Sequence, residues 1–175
     1  MIKILFLDID GVLNYMPNRE SLEILKNNLG YEKFMHEIYG FSEKLVKYLK
    51  MIITATNCKI VFSTSWRYFK DHHIEGSDWR KTLANLLNVD QSIFIGNTPD
   101  ISSGWDSGAF SRRRGSEIKM WLECNVEPGK YKICVIDDEV CDIIPVISKK
   151  YVVHTDMKVG LTLDDVKKVI AILNG

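Results

Sequence analysis

The stretch Ile2-Lys3-Ile4-Leu5-Phe6-Leu7 restricts the possible folds more than any other part of this chain. It is apolar at every position but Lys3, with β-branched or aromatic residues at Ile2, Ile4 and Phe6. A strand with one wet face alternates apolar and polar residues, so a nearly unbroken apolar run predicts a strand buried on both faces of a parallel sheet. The run ends in Asp8-Ile9-Asp10-Gly11. In extended chain Asp8 and Asp10 leave the same side, and Gly11 lets the backbone turn sharply away. Open α/β sheets place their ligands at the carboxyl ends of such strands. Two acids held there repel each other unless a cation lies between them. With 13 aspartates in 175 residues, a D-x-D spacing is expected by chance. The weight of this pair comes from its place at a strand end, before a glycine.

The remaining chain alternates helical and strand patterns. After Pro17 and Asn18, Leu22, Leu25 and Leu29 recur at helical spacing and Gly30 closes the segment. The aromatic-rich stretch from Gly30 to Phe41 reads as a packed helical turn or as part of a lid over the strand ends. Ser42 begins a helix whose Leu45, Val46, Leu49 and Ile53 share a face. A short strand, Ile60–Phe62, then runs into Ser63-Thr64-Ser65-Trp66-Arg67. A helix is predicted over Ser77–Asn88 and a strand over Ser92–Ile95. The glycine- and serine-rich run from Gly96 to Ser111, carrying Pro99, Trp105, Asp106 and Phe110, reads as a long structured loop of the kind that binds something. It leads into Arg112-Arg113-Arg114-Gly115, a helix from Ser116 to about Asn125, and a buried strand Tyr131–Ile136 ending in Asp137-Asp138-Glu139. A strand Tyr151–Val153 and a helix Thr162–Leu173 complete the series. Thr162 with Asp164 and Asp165 reads as a capped helix start.

Alternation of this kind implies parallel strands with right-handed helical crossovers. The length and the 46% hydrophobic content suit one domain with a sizeable core, including a candidate lid around 15–41 and a substrate loop around 96–111. Acids and bases balance at 23 each. The net charge therefore supplies no general attraction to nucleic acid or an anionic membrane, and a polyanion would need a local patch. Cys58, Cys124, Cys134 and Cys141 show no C-x-x-C spacing and the four histidines no metal-ligand spacing, which predicts reduced packing cysteines and no zinc site. The first apolar run is too short for a signal peptide or a membrane span, so the expected location is the cytoplasm, without membrane association.

Three strands end in polar groups: Asp8 with Asp10, Ser63 with Thr64 and Ser65, and Asp137 with Asp138. An arginine cluster stands ahead of the last of these. Four carboxylates at one sheet edge need a cation, and hard oxygen ligands suit Mg²⁺ with positions left for water and phosphate. Small hydroxyls and backbone N–H groups bind phosphate oxygens, and an arginine neutralises charge on a transferring group. A carboxylate can act as nucleophile and give an aspartyl-phosphate.

The order of D-x-D-G-V-L, a hydroxyl-ended strand, a basic residue before a helix and an Asp-Asp-ended strand over residues 2–140 resembles the haloacid dehalogenase (HAD) superfamily of phosphohydrolases. More narrowly, S-x-S-W-R at 63–67, I-G-N-T-P at 95–99, and R-G-S-E-I-K-M-W-L at 114–122 followed by V-I-D-D resemble the small HAD-type domains that also occur in RNA-repair polyproteins. The resemblance implies a Rossmann-like three-layer α/β sandwich with a mostly parallel central sheet and a small or absent cap. It implies Asp8 as nucleophile and Asp10 as the acid that protonates the leaving oxygen and then the base that activates water. It also implies Mg²⁺ held by Asp8, the backbone carbonyl of Asp10, and Asp137 or Asp138. Ser63, ahead of Thr64, is the implied phosphoryl-binding hydroxyl, with Ser65, Arg67 and Arg113 as further substrate contacts. The family's basic residue is usually lysine; here the candidates are Arg114, then Arg113, or Lys119.

An acid at position 10 resembles the phosphatases and phosphotransferases of the superfamily rather than its dehalogenases. The implied reaction is Mg²⁺-dependent hydrolysis of a phosphomonoester, on a phosphorylated small molecule or a nucleotide or RNA end. Two other classes compete. A receiver-like phosphoacceptor domain also combines an acid pair, a hydroxyl and a lysine, but carries the pair on its first strand and the acceptor later. An inactive phosphate-binding module would retain the site without turnover. Trp66 and Arg67 read either as a stacking and phosphate-clamping pair or as a buried tryptophan beside an ion-paired arginine.

Overall fold

The first strand lies in the middle of the sheet. In the computed structural model, which describes residues 1–15, 40–68, 79–101 and 113–175, β1 (Ile2–Leu7) pairs on one side with β2 (Lys59–Phe62) and on the other with β4 (Tyr131–Asp137). Strands β3 (Phe94–Asn97) and β5 (Val152–His154) flank these, giving the order β3-β2-β1-β4-β5 with every pairing parallel. Ile4, Leu5, Phe6 and Leu7 are all fully buried, as a strand covered on both faces requires. Each such side chain contributes on the order of 2 kcal/mol of burial.

Alternation along β1 divides the core in two. Leu5 and Leu7 join Ile60, Phe62 and Ile136 under helices α1 (Glu43–Thr56), α2 (Trp79–Leu87) and α4 (Leu163–Asn174), through Leu49, Leu83 and Val169. Ile4 and Phe6 face the opposite way with Val61, Ile133 and Val135, against Ile118 and Trp121 of α3 (Arg114–Asn125) and Ile143 and Ile147 of the following turns. Helices on both faces of a parallel sheet make the Rossmann-like three-layer α/β sandwich expected from the sequence.

Several boundaries differ from their predicted positions for local reasons. The strand expected at Ser92–Ile95 begins at Phe94, because the Asp90 carboxylate accepts a 2.8 Å hydrogen bond from the Ser92 N–H and winds Gln91–Ile93 into a 3₁₀ turn. Helix α3 begins at Arg114 rather than Ser116. The Asp142 carboxylate, 28 residues on, accepts the Arg114 N–H at 2.8 Å and so satisfies a donor that the first helical turn leaves open. The final strand lies one residue later than expected. The capped start of α4 matches its reading: the Thr162 hydroxyl accepts from the Asp165 N–H at 3.2 Å, and the Asp165 carboxylate accepts from the Thr162 N–H at 3.2 Å. The leucine-spaced segment and most of the candidate lid (16–39), and residues 102–111 of the loop, including Trp105 and Asp106, lie outside the described residues.

Candidate active site

The parallel ladder continues past the strand ends and brings three tips together. The Asp8 N–H donates to the Ile136 carbonyl at 3.1 Å, and the Ser63 N–H to the Leu7 carbonyl at 2.9 Å. Asp8 therefore stands between the tip of β2 and the tip of β4. Carboxylate oxygens of Asp8, Asp137 and Asp138 all lie within 4.8 Å of one another. Asp8 and Asp137 are buried and Asp138 is half-buried.

Arg114, the first residue of α3, points into this group. Its Nη1 lies 3.0 Å from Asp8 Oδ1 and 3.0 Å from Asp137 Oδ2, and donates to the Ser63 carbonyl. The contact with Asp8 is an ion pair without hydrogen-bond alignment, so among the described residues Asp8 Oδ1 has no hydrogen-bond partner, and neither does the buried Ser63 Oγ. Asp137 is fixed from its other side by the Glu139 N–H, which donates to its Oδ1 at 2.8 Å.

Among the described residues three carboxylates face one guanidinium, and burial comes first in shifting all three acids. Burial pushes the Asp8 carboxyl up, opposed by Arg114, the Ile9 amide and the Thr64 hydroxyl. Burial and then the nearby Asp8 charge push Asp137 well above the ordinary carboxylate range. The same two causes push Asp138 up to about 6. Burial works against the Arg114 charge, but Asp8 and Asp137 outweigh it and hold the guanidinium more firmly protonated than usual.

The turn after β1 is built around Gly11. Its φ of +67° is a left-handed conformation, and a Cβ there would lie 2.6 Å from Asp138 Cγ. Glycine is thus required both by the turn and by the approach of the β4 tip. Thr155 closes the far side by donating its hydroxyl to the Gly11 carbonyl at 2.8 Å. Asp10 leaves this turn with both oxygens occupied: Asn14 Nδ2 donates to Oδ1 at 2.9 Å and Trp66 Nε1 to Oδ2 at 3.0 Å.

The remaining sequence candidates fall in different places. Thr64 is buried beside Ser63, and Ser65 opens the 3₁₀ turn Ser65–Tyr68 half-buried. Arg67 adopts the second of its two readings: Nη2 contacts both oxygens of the buried Glu117 at 2.8 Å, and Nη1 donates to the Thr98 hydroxyl. Arg113 is exposed and donates to the Ile101 carbonyl at 3.2 Å. The exposed Lys119 lies 3.9 Å from Glu123 on the helix surface. Of the three basic candidates, Arg114 is the one in contact with the carboxylates.

Asn14, Glu117, Thr98 and Asp142 contribute to the site although the sequence reading names none of them as contributors, and Trp66 contributes through a bond to Asp10 that this reading does not include. An asparagine three residues after a turn glycine was a readable signal, since such side chains bond nearby backbone; here Asn14 Oδ1 accepts the Gly11 N–H at 3.0 Å. A buried indole was known to need a partner, though nothing local identified it as Asp10.

No curated protein and no solved structure matches the chain. The family described as the HAD domain in Swiss Army Knife RNA repair proteins matches it over residues 4–166, a span that includes all five strand tips and the Asp8, Ser63, Arg114 and Asp137 positions. The chain belongs to that family of HAD domains.

Proposed function

We propose that the chain is a Mg²⁺-dependent phosphatase that hydrolyses a phosphomonoester through an aspartyl-phosphate on Asp8. The observation that carries this reading is the group of Asp8, Asp137 and Asp138 gathered beside the Arg114 guanidinium, with the buried Asp8 Oδ1 and Ser63 Oγ lacking a hydrogen-bond partner among the described residues. The residues present fit the ion. They offer hard oxygen donors, three carboxyl groups face one guanidinium among the described residues, and one carboxylate oxygen there lies buried with no hydrogen bond. Asp8, Asp137 and Asp138 would hold it, with the Asp10 backbone carbonyl. Bound there, Mg²⁺ would supply positive charge to the cluster and to the phosphoryl oxygens.

The chain's own residues account for the bond changes. An Asp8 carboxylate oxygen attacks phosphorus and the ester P–O bond breaks, while Asp10 delivers a proton to the departing oxygen. Asp10 then takes a proton from water as the water oxygen attacks the phosphorus of the aspartyl-phosphate. Inorganic phosphate leaves and the Asp8 carboxylate is regenerated. The Ser63 hydroxyl, with its hydrogen-bonding capacity unused, donates to a phosphoryl oxygen, and Arg114 sets positive charge beside Asp8.

A nucleotide or RNA end is the substrate class favoured over a phosphorylated metabolite, on the strength of the family's occurrence in RNA repair proteins. The buried free thiols of Cys58 and Cys134 support a reducing compartment, the cytoplasm. No helix among the described residues is long and apolar enough to cross a membrane. The test is hydrolysis of p-nitrophenyl phosphate and of 3′- and 5′-phosphorylated RNA oligomers, with Mg²⁺ or EDTA, for the natural protein and Asp8→Asn. The expected result is Mg²⁺-dependent release of phosphate, reduced at least about a thousandfold in Asp8→Asn. Equal rates in the two proteins would remove Asp8 as nucleophile, and a phosphorylated protein that persists without turnover would favour a phosphoacceptor switch.

A further inference from the structure

The Asp10 carboxylate is held from two directions by groups that cannot readily move. Asn14 is buried, and its amide is oriented by its own acceptor: Oδ1 receives the Gly11 N–H at 3.0 Å, which leaves Nδ2 to face Asp10 Oδ1 at 2.9 Å. Trp66 is 8% exposed. Its ring packs 5.4 Å from Phe41 and edge-on to Trp79 at 5.8 Å, and its backbone N–H donates to the Thr64 hydroxyl at 3.3 Å. From this seat Nε1 reaches Asp10 Oδ2 at 3.0 Å.

A half-buried aspartate otherwise turns freely about two side-chain bonds, whereas proton transfer needs its oxygen within about 0.5 Å of the productive position. Each carboxylate oxygen carries two acceptor sites. One donor on each oxygen fixes the carboxyl plane and leaves the second site of either oxygen open for the transferred proton. Trp66 also belongs to the 3₁₀ turn that directly follows Ser63 and Thr64, and its N–H bonds the Thr64 hydroxyl, so the group expected to bind phosphate and the group that orients the acid are tied together locally.

We infer that Trp66 and Asn14 are positioning residues for leaving-group protonation, which suits this site to phosphate esters of alcohols, whose alkoxide leaves poorly unless protonated. The inference rests on the phosphatase reading above. It separates from that reading because protonation matters for an alkyl ester and little for an ester with an acidic phenol.

The experiment compares glycerol phosphate with 2,4-dinitrophenyl phosphate in the natural protein, Trp66→Phe, which keeps an aromatic ring and deletes the N–H, and Asn14→Asp, which keeps the acceptor for Gly11 and deletes the donor. Thermal melts establish that each variant folds. Each variant is expected to lower kcat on glycerol phosphate at least about tenfold more than kcat on the dinitrophenyl ester, with KM for the two esters changing in parallel. A loss of equal size on both esters, or no loss on either, would overturn the inference. A natural protein inert toward both esters and toward the phosphorylated RNA oligomers would instead refute the phosphatase reading.

Discussion

Replacing Arg114 by methionine removes the one cation that, among the described residues, contacts Asp8 and Asp137, while keeping most of the side-chain bulk. The two carboxylates are 2% and 1% exposed and each lies 3.0 Å from Nη1. Removing one member of a buried ion pair costs about 3–5 kcal/mol. A second route bounds the same quantity, since an aspartate left unpaired can protonate instead. Protonating an aspartate of ordinary affinity costs about 5 kcal/mol at pH 7.5 and about 1.5 kcal/mol at pH 5. Part of that cost is present already, because burial raises both carboxyls in the natural protein. The expected loss of stability is therefore about 3 kcal/mol at pH 7.5 and about 1 kcal/mol at pH 5. The direction follows from linkage: an acid raised above its unfolded value binds more protons in the folded chain, so stability falls as pH rises. Urea unfolding of both proteins in EDTA at the two pH values measures this. A loss that is the same at both, or larger at pH 5, would refute the electrostatic account and leave Arg114 with a packing role alone.

Gly11→Ala should lose on the order of 3 kcal/mol in the same assay, from the left-handed backbone together with displacement of Asp138, and it should weaken Mg²⁺ binding measured by calorimetry; a variant as stable as the natural protein would show that the turn relaxes without moving Asp138. Asp138, pushed up to about 6 by burial and then by Asp8, costs the folded chain stability as pH rises from the ordinary carboxylate range through that value. Asp138→Asn should thus raise the EDTA melting temperature at pH 7.5 but not at pH 5, and should remove most of the increase that Mg²⁺ produces; an undiminished Mg²⁺ effect would exclude Asp138 as a ligand.

What could be read from the chain alone was whatever local pattern determines. The apolar run ending at Leu7 identified the central strand, and the hydroxyls after Phe62 and the acids after Ile136 identified two of the tips that meet it. The start of α3 was misplaced by two residues because its first N–H is satisfied by Asp142, whose influence no local window contains. Arg114 stands among three adjacent arginines, and the sequence ranks it ahead of Arg113 without a geometric ground. That ground is helix geometry, which turns Arg114 inward and leaves Arg113 exposed. Arg67 was placed among the substrate contacts, yet its guanidinium meets Glu117, 50 residues away on the helix that carries Arg114. The hydrogen bond from Trp66 to Asp10 spans 56 positions and was equally invisible.

The central place of β1 has a consequence for biosynthesis. Its two neighbours begin at Lys59 and Tyr131, so Asp8 is without its full set of partners until the fourth strand has been translated. On the ribosome, the carboxylates of Asp137 and Asp138 come to stand beside Asp8 only after that strand has emerged and docked.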